Sequence, residues 1–278
     1  MQARSFDYVR PATMAQALKV LREQGSRAKV LAGGQSLIPV LKLRLAEPKL
    51  LVDIGRIPGL AFIEERRDGL RIGAMTRHRD LGLSKLVRDK YTLLSDAAAS
   101  LGDPQIRNLG TIGGSLAHAD PASDWGTALL AFETDLVVRG QQGTRAISID
   151  KFFKDTFTTA LRPSELLIEI RIPKAERTDG GAYLKLKRKT GDFATVGVAV
   201  QLGLDDKGTV AGVRIGLAAV GPTPMRAKKA EEILVGRKPG PTAFAEAAKA
   251  AAEEARPASD LRGSAEFKRA MGDVYARR

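Results

Sequence analysis

The sequence predicts an α+β protein in two parts. Residues 1–175 mix helices and strands, and residues 176–278 form a smaller unit with a three-stranded antiparallel sheet and three helices. Three observations carry this. Apolar runs of strand length interleave with helically spaced apolar residues up to "ELLIEIRIP" (165–173). "KAERTDGG" (174–181) then forms a charged, glycine-ended connector. Beyond it the order changes, with strand-like segments first and helix-like segments after, as in a meander with helices on one face.

In chain order, "PATMAQALKVLREQG" (11–25) reads as a helix. Thr13 caps it, Met14, Ala17, Leu18 and Leu21 share an apolar face, and Gly25 ends it. "KVLA" (29–32) is a short strand. "SLIPVLKLRLA" (36–46) is a helix that tolerates Pro39 in its first turn. "KLLVDI" (49–54) and "LRIGA" (70–74) are buried strands. "TRHRDLGLSKLVRDK" (76–90), "LLSDAAASLG" (93–102) and "ASDWGTALLAF" (122–132) have helical spacing, while "DLVVRG" (135–140) and "RAISI" (145–149) are strands. After the connector, "AYLKLKRK" (182–189), "ATVGVAVQLGL" (194–204) and "TVAGVRIGLAAVG" (209–221) are the three strands. "DDKG" (205–208) is a hairpin turn between the last two. The three helices are "MRAKKAEEILVG" (225–236), "TAFAEAAKAAAEEA" (242–255) and "SAEFKRAMGDVYARR" (264–278).

Composition excludes several chemistries. The chain has no cysteine, so it offers no disulfide, no thiolate nucleophile and no iron–sulfur cluster of its own. Two histidines, His78 and His118, do not make a multi-histidine metal site. No stretch approaches the ~20 apolar residues of a bilayer span. The N-terminus "MQARSFDYVRPATM" lacks an apolar signal core, which predicts a cytoplasmic protein. The net charge of +13 invites a nucleic-acid reading. Against that, the excess is +6 in residues 1–176 and +7 in 177–278, with no basic tail and no aromatic-rich basic stripe. An anionic cofactor or an acidic protein partner suits the charge as well.

The stretches that ordinary core packing does not account for are "LAGGQSLIPVLKLRL" (31–45) and "LGTIGGSLAHADPASDW" (109–125). Each sets two glycines, then a serine, before a helical run, and the pairs Gly33–Gly34 and Gly113–Gly114 lie 80 residues apart. Glycines in a strand-to-helix turn permit positive φ and remove Cβ atoms that would block a ligand. Successive amides then converge on an anion, and Ser36 and Ser115 add hydroxyls. Two such turns suit a pyrophosphate. No Gly-x-Gly and no Gly-x4-Gly-Lys-Ser/Thr occurs, so the common dinucleotide and P-loop signatures are absent.

"LAGGQSLIPVLKLRL", "TIGGSLAHADPASD", "LRPSELLIEIRIP" and "AVGPTPMRA" resemble the FAD-binding medium subunits of molybdenum hydroxylases, the carbon monoxide dehydrogenase medium-chain type above all; xanthine dehydrogenases contain a homologous flavin domain. The resemblance covers essentially the whole chain. It implies an FAD-binding domain of the PCMH/vanillyl-alcohol-oxidase-like type over 1–175, with subdomains of roughly 1–55 and 56–175. It also implies a C-terminal domain of the carbon monoxide dehydrogenase flavoprotein type over 176–278. By the same resemblance, both glycine turns hold the pyrophosphate of FAD, through Lys29, Leu31, Ala32, Gly33, Gly34, Gln35, Ser36 and Leu37 on one side and Thr111, Ile112, Gly113, Gly114 and Ser115 on the other. Asp124 matches a carboxylate that holds a sugar hydroxyl, and Leu167 an apolar residue beside the cofactor cleft. Lys185 matches a lysine that reaches the cofactor, and Asp192 and Phe193 a loop that approaches the isoalloxazine. Gln35 departs from the histidine frequent in carbon monoxide enzymes, which weakens a substrate assignment, and Ser115 stands where asparagine is common. Outside this set, "TRHRD" suggests that His78 is exposed. Trp125 reads as core, Asp120 as a turn residue, and Lys187 and Arg188 as a solvated strand face.

No Ser/His/Asp arrangement and no catalytic base stands out, as expected of an electron relay. The family function is transfer of electrons from iron–sulfur clusters on a small subunit, fed by a molybdenum large subunit, through FAD to an external quinone, NAD or oxygen. The complex expected is a dimer of heterotrimers. Two rivals remain: a stand-alone FAD oxidoreductase of the same flavin fold, and a basic nucleotide- or nucleic-acid-binding module without redox activity.

Overall fold

The structure, a computed structural model, describes residues 2–174 and 179–278. The boundary expected within 174–181 falls largely on residues 175–178, which lie outside the described residues.

Near the N-terminus, three short parallel strands form a sheet in the order Asp7–Val9, Leu50–Asp53, Ala28–Leu31. Parallel neighbours require crossovers. The helix Met14–Gln24 makes the first, burying Ala17, Leu18 and Leu21 against the sheet. The second leaves the carboxyl end of Ala28–Leu31, passes through the first glycine pair and the short helix Leu37–Lys42, and returns to Leu50.

A five-stranded antiparallel sheet follows, in the order Ile63–Arg66, Gly69–Gly73, Leu166–Pro173, Asp135–Gly140, Gly143–Ser148. Six short helices lie between its second strand and Asp135: His78–Leu83, Lys85–Lys90, Thr92–Ser100, Pro104–Leu109, Ile112–His118 and Asp124–Leu130. They pack Leu81, Leu93, Leu94, Leu116, Trp125 and Leu129 into the largest core. The helical stretch 76–90 breaks at Ser84, whose hydroxyl accepts from the Val87 amide at 3.3 Å and starts a second helix.

The C-terminal sheet has four antiparallel strands, not the expected three: Asp179–Leu186, Val196–Leu204, Val210–Ala218 and Met225–Arg226. Met225 and Arg226 were expected to begin a helix. They instead pair with Leu217 and Gly216, and the helix runs only Lys228–Leu234. Two residues are too few to show a strand period, so the apolar spacing of the helix behind them dominates the reading. The strand expected over 182–189 ends at Leu186, which leaves Lys187 and Lys189 off it. Helices Pro241–Glu254 and Ala265–Arg277 complete the domain, with Ala247 and Ala251 in its own core and half-buried Met271 and Tyr275 packed against it.

Arginines join the two parts. Arg214 donates to the Leu130 carbonyl (3.1 Å) and, with Arg226, to Asp150. Glu231 is buried, takes Arg226 in an ion pair and accepts the Ile215 amide at 2.8 Å. Among the described residues, no helix is long and apolar enough to cross a membrane.

Candidate functional site

The first glycine turn sits at the carboxyl end of a parallel strand, where open α/β sheets place ligands. Gly34 has φ +74°, the left-handed conformation that favours glycine. Residues 31–37 are all half-buried. Among the described residues, none accepts a hydrogen bond from the amides of Gly33, Gly34, Gln35, Ser36 or Leu37. Five consecutive amides without partners, only half covered, are free to donate to a bound anion. The Gln35 side chain folds back to donate to the Gly33 carbonyl at 3.1 Å, which leaves the amides open. Lys29 is exposed on the strand leading in, close enough for its charge to act on His118.

The second pair differs from expectation. Gly113 and Gly114 lie not in a strand-to-helix turn but in the first turn of the helix Ile112–His118, reached from the helix Pro104–Leu109, and neither has positive φ. Its amides are already used. Ile112 donates to Thr76 O (3.0 Å), Gly113 to Ala74 O (2.8 Å), Gly114 to the capping Thr111 Oγ1 (3.1 Å) and Ser115 to Thr111 O (3.0 Å). The second loop therefore offers the Thr111 and Ser115 hydroxyls rather than free amides. Ser115 Oγ lies 3.3 Å from Ser123 Oγ.

Close packing accounts for the missing Cβ at Gly33, Gly113 and Gly114, and the positive φ for the glycine at 34. A Cβ on Gly33 would stand 2.2 Å from Leu109 O and 2.7 Å from Gly110 Cα. One on Gly113 would meet Ala74 O and Cβ at 2.6 Å, and one on Gly114 would lie 2.8 Å from Thr111 Oγ1 and 3.4 Å from Ala32 Cβ. The two turns thus lie side by side, backbone against backbone, despite 80 residues of separation. The donors present, open amides on the first turn and hydroxyls on the turn packed against it, suit a phosphate or diphosphate.

Asp124 opens the helix after the second turn and is buried. Tyr183 OH donates to its Oδ1 at 2.5 Å and Lys185 Nζ to its Oδ2 at 3.0 Å. The Lys185 side chain is only 2% exposed and also reaches the Ser100 carbonyl at 3.4 Å. In this structure Lys185 is turned onto Asp124 rather than outward. Burial, reinforced by Asp124, holds the Tyr183 hydroxyl well above its ordinary pKa, so the phenol stays a donor. Tyr183 was not singled out from the sequence. It lies two residues before Lys185 on the same strand face, and period-2 alternation was the signal available. Leu167 is buried in the main core, next to a register shift in its strand.

The segment after Leu186 returns at Thr195, and Gly191 within it approaches Asp103. Asp103 caps the helix Pro104–Leu109, whose last carbonyl touches Gly33. Asp192 is held between Arg188 and Arg262, each at 3.1 Å. Burial pushes its pKa up, but hydrogen bonds from Arg262 and Arg188 outweigh this and keep it low. Phe193 is 45% exposed beside it.

His78 is buried, contrary to the expectation from its basic neighbours. Trp125 Nε1 donates to His78 Nδ1 at 2.9 Å, and the Gly110 carbonyl accepts the His78 amide at 3.0 Å. Burial first, and Arg107 second, lower its pKa to about 4. His118 stacks near Phe157 with centroids 5.0 Å apart. Burial lowers its pKa; Asp120 opposes the shift and Lys29 adds to it. Asp120 is a turn residue, accepting the Ala122 amide at 2.8 Å. Among the described residues no cluster of His, Cys, Asp or Glu could hold a metal ion.

Two family profiles match the chain: "FAD binding domain in molybdopterin dehydrogenase" over residues 4–175 and "CO dehydrogenase flavoprotein C-terminal domain" over 181–278. The carbon monoxide dehydrogenase medium chain of Hydrogenophaga pseudoflava is 43% identical over 273 residues, 98% of this chain and 95% of that one. Subunit alpha of the 6-hydroxypseudooxynicotine dehydrogenase complex of Paenarthrobacter nicotinovorans is 40% identical, over 96% of this chain and 90% of its own length. Among solved structures, the Hydrogenophaga pseudoflava carbon monoxide dehydrogenase that lacks the Mo-pyranopterin moiety superposes with a TM-score of 0.97 at 44% identity, over 100% of this chain and 96% of that chain.

Proposed function

We propose that this chain, which belongs to the molybdopterin dehydrogenase family of FAD-binding subunits, relays electrons as the medium subunit of a molybdenum hydroxylase complex. FAD is its cofactor, and its relatives are dehydrogenase subunits of multi-subunit oxidoreductases. When bound, FAD supplies the redox chemistry. The chain supplies position and charge. The observation that carries the reading is the run of five unpartnered amides from Gly33 to Leu37.

In this proposal those amides take the diphosphate, with Lys29, Leu31 and Ala32 forming the approach. Thr111 and Ser115 add hydroxyl donors. Ile112, Gly113 and Gly114 bring that helix close enough for the hydroxyls to reach. Asp124, Lys185 and Leu167 form the inner wall, where the buried charge pair fixes the end of the site nearest the cofactor's sugar. Asp192 and Phe193 bound the flavin end.

Electrons would arrive from iron–sulfur clusters on a small subunit, because this chain has no cysteine to ligate one. A large molybdenum subunit would oxidise the substrate, in a dimer of heterotrimers, and a quinone, NAD or oxygen would accept the electrons. Relatives named for carbon monoxide and for 6-hydroxypseudooxynicotine are almost equally similar to this chain, which supports placing substrate choice on another subunit. The test is dye reduction. The purified, FAD-loaded chain should give no substrate-dependent reduction, and adding both partner subunits should restore it. Turnover by this chain alone would favour a stand-alone oxidoreductase.

A further inference from the structure

We infer that Arg262 is a positioning residue that fixes Phe193 against the flavin end of the cofactor site. The inference rests on the cofactor site proposed above. It begins with the segment between helices Pro241–Glu254 and Ala265–Arg277, which lies as a strap along the loop that carries Asp192 and Phe193.

The strap is anchored at its own base. The buried Lys268 ammonium donates to Ala258 O at 3.0 Å and pairs with Asp260 Oδ2 at 2.8 Å. Asp260 Oδ1 accepts the Arg262 amide at 2.8 Å, and Asp260 and Gly263 exchange backbone hydrogen bonds. The Arg262 backbone is thereby set before its side chain reaches out.

The guanidinium then makes two contacts. One nitrogen donates to Asp192 Oδ1 at 3.1 Å, and its carbon lies 5.5 Å from the centroid of the Phe193 ring. The same Asp192 oxygen accepts the Phe193 amide at 2.9 Å. Arg262 therefore holds both the backbone and the ring of Phe193. Arg188 closes the arrangement from the loop side, donating to Asp192 and, at 3.2 Å, to the Leu261 carbonyl. Burying the Arg262 Nε without a partner opposes this arrangement. The two contacts must outweigh that cost, which sets the group apart from a solvated surface ion pair.

The position of the ring suits the role. Gly191 abuts Asp103, the cap of the helix Pro104–Leu109, and the far end of that helix touches Gly33. Six helical residues span ~9 Å, a distance that a ribityl chain bridges between a diphosphate and its flavin ring. With the guanidinium near its ring, Phe193 still has nearly half of its surface uncovered, available to a flat aromatic group.

The test uses the full chain, without FAD and loaded with FAD, as wild type, Arg262→Ala and Arg262→Lys. Hydrogen exchange at the Phe193 amide reads the clamp, and iodide quenching of flavin fluorescence reads how well the ring is covered. Arg262→Ala should speed exchange ~10-fold through loss of a charge-assisted hydrogen bond and should increase quenching. Arg262→Lys keeps a charge for Asp192 but has no planar group for Phe193. It should restore most of the exchange protection while quenching stays at the alanine level. Should the alanine variant lose its fold, that separation in the lysine variant still decides the matter. Normal FAD uptake with wild-type exchange and quenching in the variants would overturn the inference alone. Failure of the wild-type chain to take up FAD, both alone and assembled with its partner subunits, would overturn the cofactor site and the inference with it.

Discussion

Gly33→Ala should cost this protein both stability and cofactor. The added Cβ would stand 2.2 Å from Leu109 O, 2.7 Å from Gly110 Cα and 2.8 Å from Leu109 C. Carbon atoms pack at ~3.5–4.0 Å, so one backbone must retreat from the other by roughly 1 Å. Neither side is a flexible side-chain end, so the cost belongs at the upper end of overpacking, ~3 kcal/mol. At ~2–4 °C per kcal/mol for a chain somewhat smaller than this one, the melting temperature should fall by ~6–12 °C. The displaced turn carries the amide cradle. Losing two hydrogen bonds to a charged phosphate removes ~3 kcal/mol or more, about 100-fold in Kd. Gly34→Ala is the control. It strains a φ of +74° and meets Ile38 Cδ1 at 2.9 Å, but that side chain can turn aside. It should cost only ~1–2 kcal/mol and weaken FAD less. Scanning fluorimetry and FAD titration read both quantities. A Gly33→Ala chain with wild-type melting temperature and FAD affinity would refute the packing argument.

Released cofactor should chromatograph as FAD, and recovery of stoichiometric FMN would contradict the diphosphate cradle. Lys185→Met should destabilise the chain by ~3–5 kcal/mol, read from urea midpoints, because it leaves the buried Asp124 carboxylate without its counter-charge. His78 has a folded pKa of about 4 against an ordinary 6.5 for a solvated histidine. The unfolded chain therefore binds the proton first, and stability present above pH 6.5 is lost as the pH falls towards 4. The difference is ~3 kcal/mol, and it should be missing from the same titration of His78→Gln. Trp125, the sole tryptophan and the hydrogen-bond donor to His78, provides the fluorescence probe.

The local elements were legible because their causes are local. Thr13 accepts the Gln16 amide as a cap should, and Ala17, Leu18 and Leu21 bury the face that their spacing announces. The hairpin at 205–208 also lies where the turn residues set it, with Asp205 accepting the Lys207 and Thr209 amides. The glycine pairs were legible as unusual, and a likeness spread over the whole chain supplied the family. Two-residue strands and single buried histidines leave no such mark. Met225–Arg226 has no period of its own, and His78 sits among charges that suggest exposure.

What only the tertiary structure decided is why the glycines are there and which amides are free. Gly33 needs its missing Cβ because of Leu109, 76 residues on, and the second turn has spent its amides on Ala74, Thr76 and Thr111. Lys185 turns inward because Asp124 waits there, and Asp192 is fixed by an arginine 70 residues away. Sequence patterns report the period of a helix or strand and the chemistry of a cap, which act over a few residues. Contacts across such separations depend on how sheets and crossovers fold the chain back, and that folding left the amides of residues 33–37 open and closed off those of the second turn.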